Sequence, residues 1–146
     1  MTKMTNCEAR AMRKRESGFT LIEIMIVVVI VAVLAAIAYA SYQNLVVKSR
    51  RGTAATCLQE RAQFMERWRT TRMTYVGADA QLAQCDAAVS RFYTLSFSVA
   101  PTATAYTISA TPQGIQASRD TGCGTLTLNQ QGVRGVSGGN GVAACW

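Results

Sequence analysis

The chain contains no histidine in its 146 residues. That removes the side chain best suited to proton transfer near neutral pH and the commonest neutral metal ligand. Carboxylates are scarce: eight Asp and Glu stand against fifteen Lys and Arg, a formal net charge of +7. Beyond Glu23 the acids are Glu60, Glu66, Asp79, Asp86 and Asp120, scattered with no pair at a spacing useful for acid–base chemistry. Only Asp120 lies in the last 50 residues, too little for an all-oxygen calcium site. No Cys-x-x-Cys pair occurs, so with histidine absent no metal site is expected. No glycine-rich loop precedes a helical pattern, and the glycines between 132 and 141 read as a loop. These absences argue against an enzyme, and no catalytic residue, metal or cofactor is assigned.

Against this background one segment stands out. Phe19 to Ala38 reads FTLIEIMIVVVIVAVLAAIA, 20 residues with Glu23 as the sole charge. As helix it spans about 30 Å, the thickness of a hydrocarbon core. A carboxylate at that depth costs about 2.5–3.5 kcal/mol on insertion scales, which marks Glu23 as functional and in need of a partner. A secretory signal peptide has a shorter apolar region, with its cleavage site on the far side. Here the polar flank comes first. Residues 1–18 hold Lys3, Arg10, Arg13, Lys14 and Arg15 against Glu8 and Glu16. Such a flank stays cytoplasmic and sends the C-terminal part outward.

Arg15-Glu16-Ser17-Gly18-Phe19-Thr20-Leu21-Ile22-Glu23 resembles the processing site of the type IV pilin family, prepilins with a class III signal peptide. The resemblance is strong from Gly18 to roughly Tyr42. It implies that a membrane-embedded prepilin peptidase cuts between Gly18 and Phe19 and N-methylates the new Phe19 terminus. It also implies that Glu23 is the assembly residue, pairing with the Phe19 amine of a neighbouring subunit. The physics agrees: both charges lie in or beside lipid, where an unpaired charge is costly. Related pilins carry a proline where this chain has Ala40 and a glycine where it has Ala32, residues linked to local unwinding in the filament. Their absence predicts a helix that is straighter at the membrane exit.

Cleavage after residue 18 would leave 128 residues with a net side-chain charge of +4, and Cys7 would depart with the leader. Cys57, Cys85, Cys123 and Cys145 remain. Four cysteines outside the cytoplasm read as two disulfides. Cys57–Cys85 would tie the helix to the loop after it. Cys123–Cys145 would close the glycine-rich tail and resembles the C-terminal disulfide loop of pilins. Crossed pairing stays open at this point.

From Ser41 to Arg72 there is no proline and only Gly52. Ala54, Leu58, Ala62, Met65 and Trp68 recur at helical spacing. The pattern predicts one helix from about Phe19 to Thr71, roughly 80 Å long. Its parts are a transmembrane and assembly helix over 19–40 and an amphipathic continuation over 41–72. After it come a mixed loop over 74–88 and then strand patterns. Tyr93, Leu95, Phe97 and Val99 alternate with polar residues. Tyr106, Ile108 and Ala110 repeat the alternation up to Pro112, and Gly124 to Leu128 forms a third strand. Gly135 to Gly141 reads as flexible. The expected fold is α+β: a long N-terminal helix, its first half transmembrane, packed on a small antiparallel sheet of three or four strands over 73–146, like a type IV pilin.

The short globular part, the run Cys123 to Leu128 and the terminal Cys145-Trp146 are similar to small minor pilins of the PilE type. That resemblance implies a structural subunit acting in pilus assembly and priming, and so in twitching motility, adhesion or DNA uptake. The implied partners are other pilins, major and minor, and the prepilin peptidase. The implied location is the inner membrane as a single pass with a cytoplasmic N-terminus, then the extracellular pilus. A major pilin and a type II secretion pseudopilin are the structural alternatives. A DNA-binding or adhesive minor pilin is the other. Arg50, Arg51, Arg61, Arg67, Arg69, Arg72, Arg91, Arg119 and Arg134 give the outer domain a basic bias that suits phosphate contacts. The same residues suit solvated faces, or the carboxylates of neighbouring subunits, and that is the preferred reading.

Overall fold

The computed structural model describes residues 18–146. Apart from Gly18, the leader lies outside them. Two compact units are distinguished, with the boundary after Tyr39.

One uninterrupted helix, α1, runs Leu21–Arg72. Thr20 caps its start, its hydroxyl accepting the Glu23 backbone N–H at 3.3 Å. That is the Thr-x-x-Glu arrangement that supplies a partner to an otherwise unpaired amide of the first turn. The helix passes Ala32 and Ala40 without a break, as expected where proline and glycine are absent. In the first unit every described residue of the helix is exposed, including Ile22, Val29 and Leu34. No apolar stripe can be selected there, because the whole circumference is apolar.

In the second unit α1 becomes one-sided. Ala54, Leu58 and Met65 are fully buried, with Val47, Ala55 and Cys57 nearly so, while Ala62 and Trp68 are half-buried. The expected stripe is present, and it begins earlier, at Val47 and Arg51. The loop after the helix holds a 3-10 turn at Asp79–Gln81 and a short helix α2, Ala87–Ser90. Four antiparallel strands follow in the order β1-β2-β3-β4. These are β1 Tyr93–Val99, β2 Thr107–Pro112, β3 Leu126–Asn129 and β4 Arg134–Val136. A short helix α3, Ile115–Arg119, connects β2 to β3, and α4, Val142–Cys145, closes the chain.

Period-2 alternation sends Tyr93 and Leu95 of β1, Ile108 and Ala110 of β2, and Leu126 and Leu128 of β3 into one core with the α1 stripe. Leu95 faces Ala110, and Ala110 faces Leu126, so the register stacks apolar residues across three strands. Both sheet edges are covered by side chains. The Gln84 amide donates to the Leu95 carbonyl at 2.9 Å and accepts its N–H at 3.0 Å, standing in for a missing strand beside β1. At the other edge the Trp146 indole N–H donates to the Gly135 carbonyl of β4 at 3.0 Å.

The glycine-rich tail departs from its compositional reading. Residues 134–136 pair with β3, and 137–140 are strapped to 122–125 by backbone hydrogen bonds. Gly138 explains how: a Cβ there would come within 2.2 Å of the Gly122 carbonyl oxygen. Glycine here permits close backbone approach and confers no looseness. The third strand also starts two residues later than its pattern suggested, because Gly124 takes φ +62 and turns the chain into it. Disulfides join Cys57 to Cys85 and Cys123 to Cys145, with Cα separations of 6.0 and 5.6 Å.

Candidate functional site

Three groups of residues carry chemistry. The first is the start of α1. Gly18 and Phe19 precede it, Phe19 being 77% exposed. Glu23 is the acid of the first turn, where the helix dipole favours a negative charge. No hydrogen bond from the described residues reaches its carboxylate. By length and composition the apolar half of α1 can cross a membrane. The cap residue Thr20 was not singled out from the sequence, although Thr-x-x-Glu is the local signal for it.

The second group is buried. Arg51, counted above among the basic residues of the outer surface, lies instead inside the core, and its guanidinium meets the Asp120 carboxylate at 2.5 Å. Its Nε donates to the Cys145 carbonyl at 3.1 Å. The other Asp120 oxygen accepts the Tyr93 hydroxyl at 2.8 Å and the Gln116 amide at 3.2 Å, and Gln116 also donates to the Val47 carbonyl at 3.1 Å. Burial pushes the Tyr93 phenol well above its usual range, and the hydrogen bond to Asp120 adds to this. One arginine of α1 therefore ties together β1, α3 and the end of the chain. Every charge in the cluster is paired, as a buried charge must be. This is a structural centre.

The third group is the basic surface. With Arg51 and Asp120 set aside, residues 40–146 carry nine cations against four acids. The preferred reading gave these arginines to solvent or to carboxylates of neighbouring subunits; Arg69, Arg72 and Arg134 are exposed, and these three and Arg50 also lie over aromatic rings. Arg50 sits 3.7 Å from the Phe92 centroid, Arg72 4.0 Å from Trp68, Arg69 5.1 Å from Tyr75 and Arg134 5.2 Å from Trp146. Cation–π attraction holds these side chains over the rings, and Arg69 also donates to the Tyr75 hydroxyl at 3.2 Å. Arg119 donates to the Gln43 amide oxygen. Glu66 is the acid set among them. It accepts the Tyr75 hydroxyl at 2.9 Å and the Tyr106 hydroxyl at 3.2 Å. Among the described residues no three His, Cys, Asp or Glu side chains are placed to hold a metal ion.

Comparison with known proteins follows the same division of the chain. Residues 40–127 match the family model of the type IV minor pilin ComP, a DNA uptake sequence receptor. Residues 13–39 match the prokaryotic N-terminal methylation motif. No curated protein matches. Among solved structures, the non-core minor pilin PilV of Neisseria meningitidis is similar in fold, with a TM-score of 0.53. It is 24% identical, and the match covers 64% of this chain and 88% of that one. A type IV pilin from Shewanella oneidensis is 28% identical with a TM-score of 0.51, covering 68% of this chain and 97% of that one.

Proposed function

We propose that this chain, which belongs to the ComP family of type IV minor pilins, enters a pilus by way of Phe19 and Glu23. Family and fold are those of structural pilins, not of enzymes. In this reading the chain is anchored in the inner membrane by the apolar half of α1, with residues 1–18 cytoplasmic. A prepilin peptidase removes those residues and methylates Phe19. The ammonium so created lies four residues from Glu23, and each carboxylate takes the amine of an adjacent subunit. Any other axial register leaves a charge unmatched beside lipid. The observation that carries the reading is a single carboxylate in the apolar run Phe19 to Ala38, inside residues 13–39 that match the methylation motif. In the Glu23→Ala variant the chain is expected to be processed normally and to fall several-fold in sheared pili, scored by immunoblot. Wild-type recovery from pili would refute it.

The match over 40–127 favours a second, compatible role in DNA uptake. A domain with nine surface cations against four acids attracts phosphates, and Arg50, Arg72 and Arg134 among these cations are held over aromatic rings. Pili purified from strains with and without the chain should differ in DNA retention at low salt, and the difference should shrink as salt rises. Equal retention at low salt would remove this role.

A further inference from the structure

We propose that the groove beside Glu66 seats an arginine side chain of a neighbouring pilin subunit. The proposal rests on the filament reading above. The groove encloses about 320 Å³ between α1 and the β2–β3 part of the sheet, and Ala62, Gln63, Glu66, Tyr106, Leu128 and Gln130 line it.

Its one charge is the Glu66 carboxylate. Two phenols hold that carboxylate in place: Oε1 accepts Tyr75 at 2.9 Å and Tyr106 at 3.2 Å, and the Tyr75 proton is shared with Oε2 at 3.1 Å. A carboxylate offers about four acceptor positions, so two phenol protons leave Oε2 largely free. No cation among the described residues takes it up. Among the described residues the only ion pair is Arg51–Asp120. Arg69, one turn from Glu66, donates to the Tyr75 oxygen at 3.2 Å instead. A preorganised negative charge thus stands without an ion-pair partner among the described residues, on a domain where surface cations outnumber acids nine to four.

The remaining walls fit one kind of occupant. Ala62 and Leu128 can cover the methylene stem of a long basic side chain. Gln63, Gln130 and the open Glu66 oxygen supply acceptors around a planar head with several N–H groups. Guanidinium matches that set better than a point ammonium, because it donates in two directions within one plane. DNA would be repelled by Glu66.

The test uses the full-length chain in assembled pili, with a photo-crosslinking residue, benzoylphenylalanine, in place of the exposed Gln59, one turn of α1 before Gln63. Mass spectrometry is expected to place the adduct on an arginine-containing peptide of another pilin subunit. Glu66→Gln retains an acceptor for both phenols and should cut the adduct yield about tenfold. Glu66→Arg should cut it further. Non-reducing peptide mapping of both disulfides controls for folding, and the identity of the unsubstituted adduct decides the matter if either variant misfolds. An adduct to DNA or to an arginine-free peptide overturns the proposal, as does a yield that ignores Glu66→Gln. Absence of the chain from pili would overturn the filament reading itself, whereas its presence without adduct overturns only the groove.

Discussion

Arg51 and Asp120 stand 69 positions apart in sequence and meet at 2.5 Å in the core of the second unit. The pair joins the face of α1 to the segment just before Cys123, and the same arginine reaches the carbonyl of Cys145. Both ends of the Cys123–Cys145 loop are therefore referred to one point on the helix. The disulfide closes the loop on itself, and Arg51 docks it. The basic surface proposed to meet DNA and the groove proposed to meet a neighbour both draw on that loop, the first through Arg134 and the second through Leu128 and Gln130.

Removing one partner of this pair should be costly. Asp120→Ala leaves a buried guanidinium uncompensated and is expected to lower stability by about 3–5 kcal/mol. The paired substitution Arg51→Met with Asp120→Leu should recover most of that loss. Urea titrations of the detergent-solubilised chain, followed by tryptophan fluorescence, measure both. An unchanged midpoint for Asp120→Ala would contradict the burial of the pair.

Alkali should unfold the domain. Burial and the Asp120 hydrogen bond raise the Tyr93 pKa, burial and Glu66 raise that of Tyr106, and burial raises that of Tyr75. Unfolded tyrosine ionises near pH 10. A folded value above the unfolded one means the native state holds the proton more tightly. The stabilisation is complete below about pH 10 and is lost as pH rises through the folded values. Tyrosinate absorbance and circular dichroism should therefore change together above about pH 10. Full ionisation with intact ellipticity would contradict this.

Two adjacent glycines should behave differently. A Cβ on Gly138 meets the Gly122 backbone, while one on Gly139 meets nothing within 4 Å. Gly138→Ala is expected to cost about 1–3 kcal/mol, as overpacking against a fixed wall does. Gly139→Ala should stay within about 0.5 kcal/mol of wild type. Thermal midpoints of the two variants make the comparison directly.

Gly18 offers a test of processing that spares the fold. A Cβ there meets nothing within 4 Å among the described residues, so Gly18→Val should leave the globular part unchanged. The variant is expected to migrate as the full 146-residue precursor and to be missing from pili. Normal cleavage of Gly18→Val would remove Gly18 from the processing site.

Local pattern made part of this molecule readable. Tyr93–Val99 alternates cleanly and is β1 to the residue. The α1 stripe from Ala54 to Met65 follows from 3.6-residue spacing. Strand β4 was not readable, because three residues that include a glycine carry no period; pairing with β3 and the Trp146 cap make it a strand. Arg51 was misread because a charge at a stripe position looks like the stripe's edge. Only Asp120, brought in by the reversal through α3, makes its burial tolerable.

What the sequence determined by itself is the apolar end that matches the methylation motif and is long enough to cross a membrane. A 20-residue apolar run, a basic flank, Gly18-Phe19 and a lone Glu23 are contiguous, so their meaning needs no folding to appear. What only the tertiary structure decided is which charges of the outer domain are inside and which face out. It put Arg51 and Asp120 in the core, stacked four other arginines on aromatic rings, and left Glu66 unpaired beside a groove. The physical reason is distance along the chain. Desolvation and pairing act between neighbours in space, and here those neighbours are up to 94 residues apart in sequence.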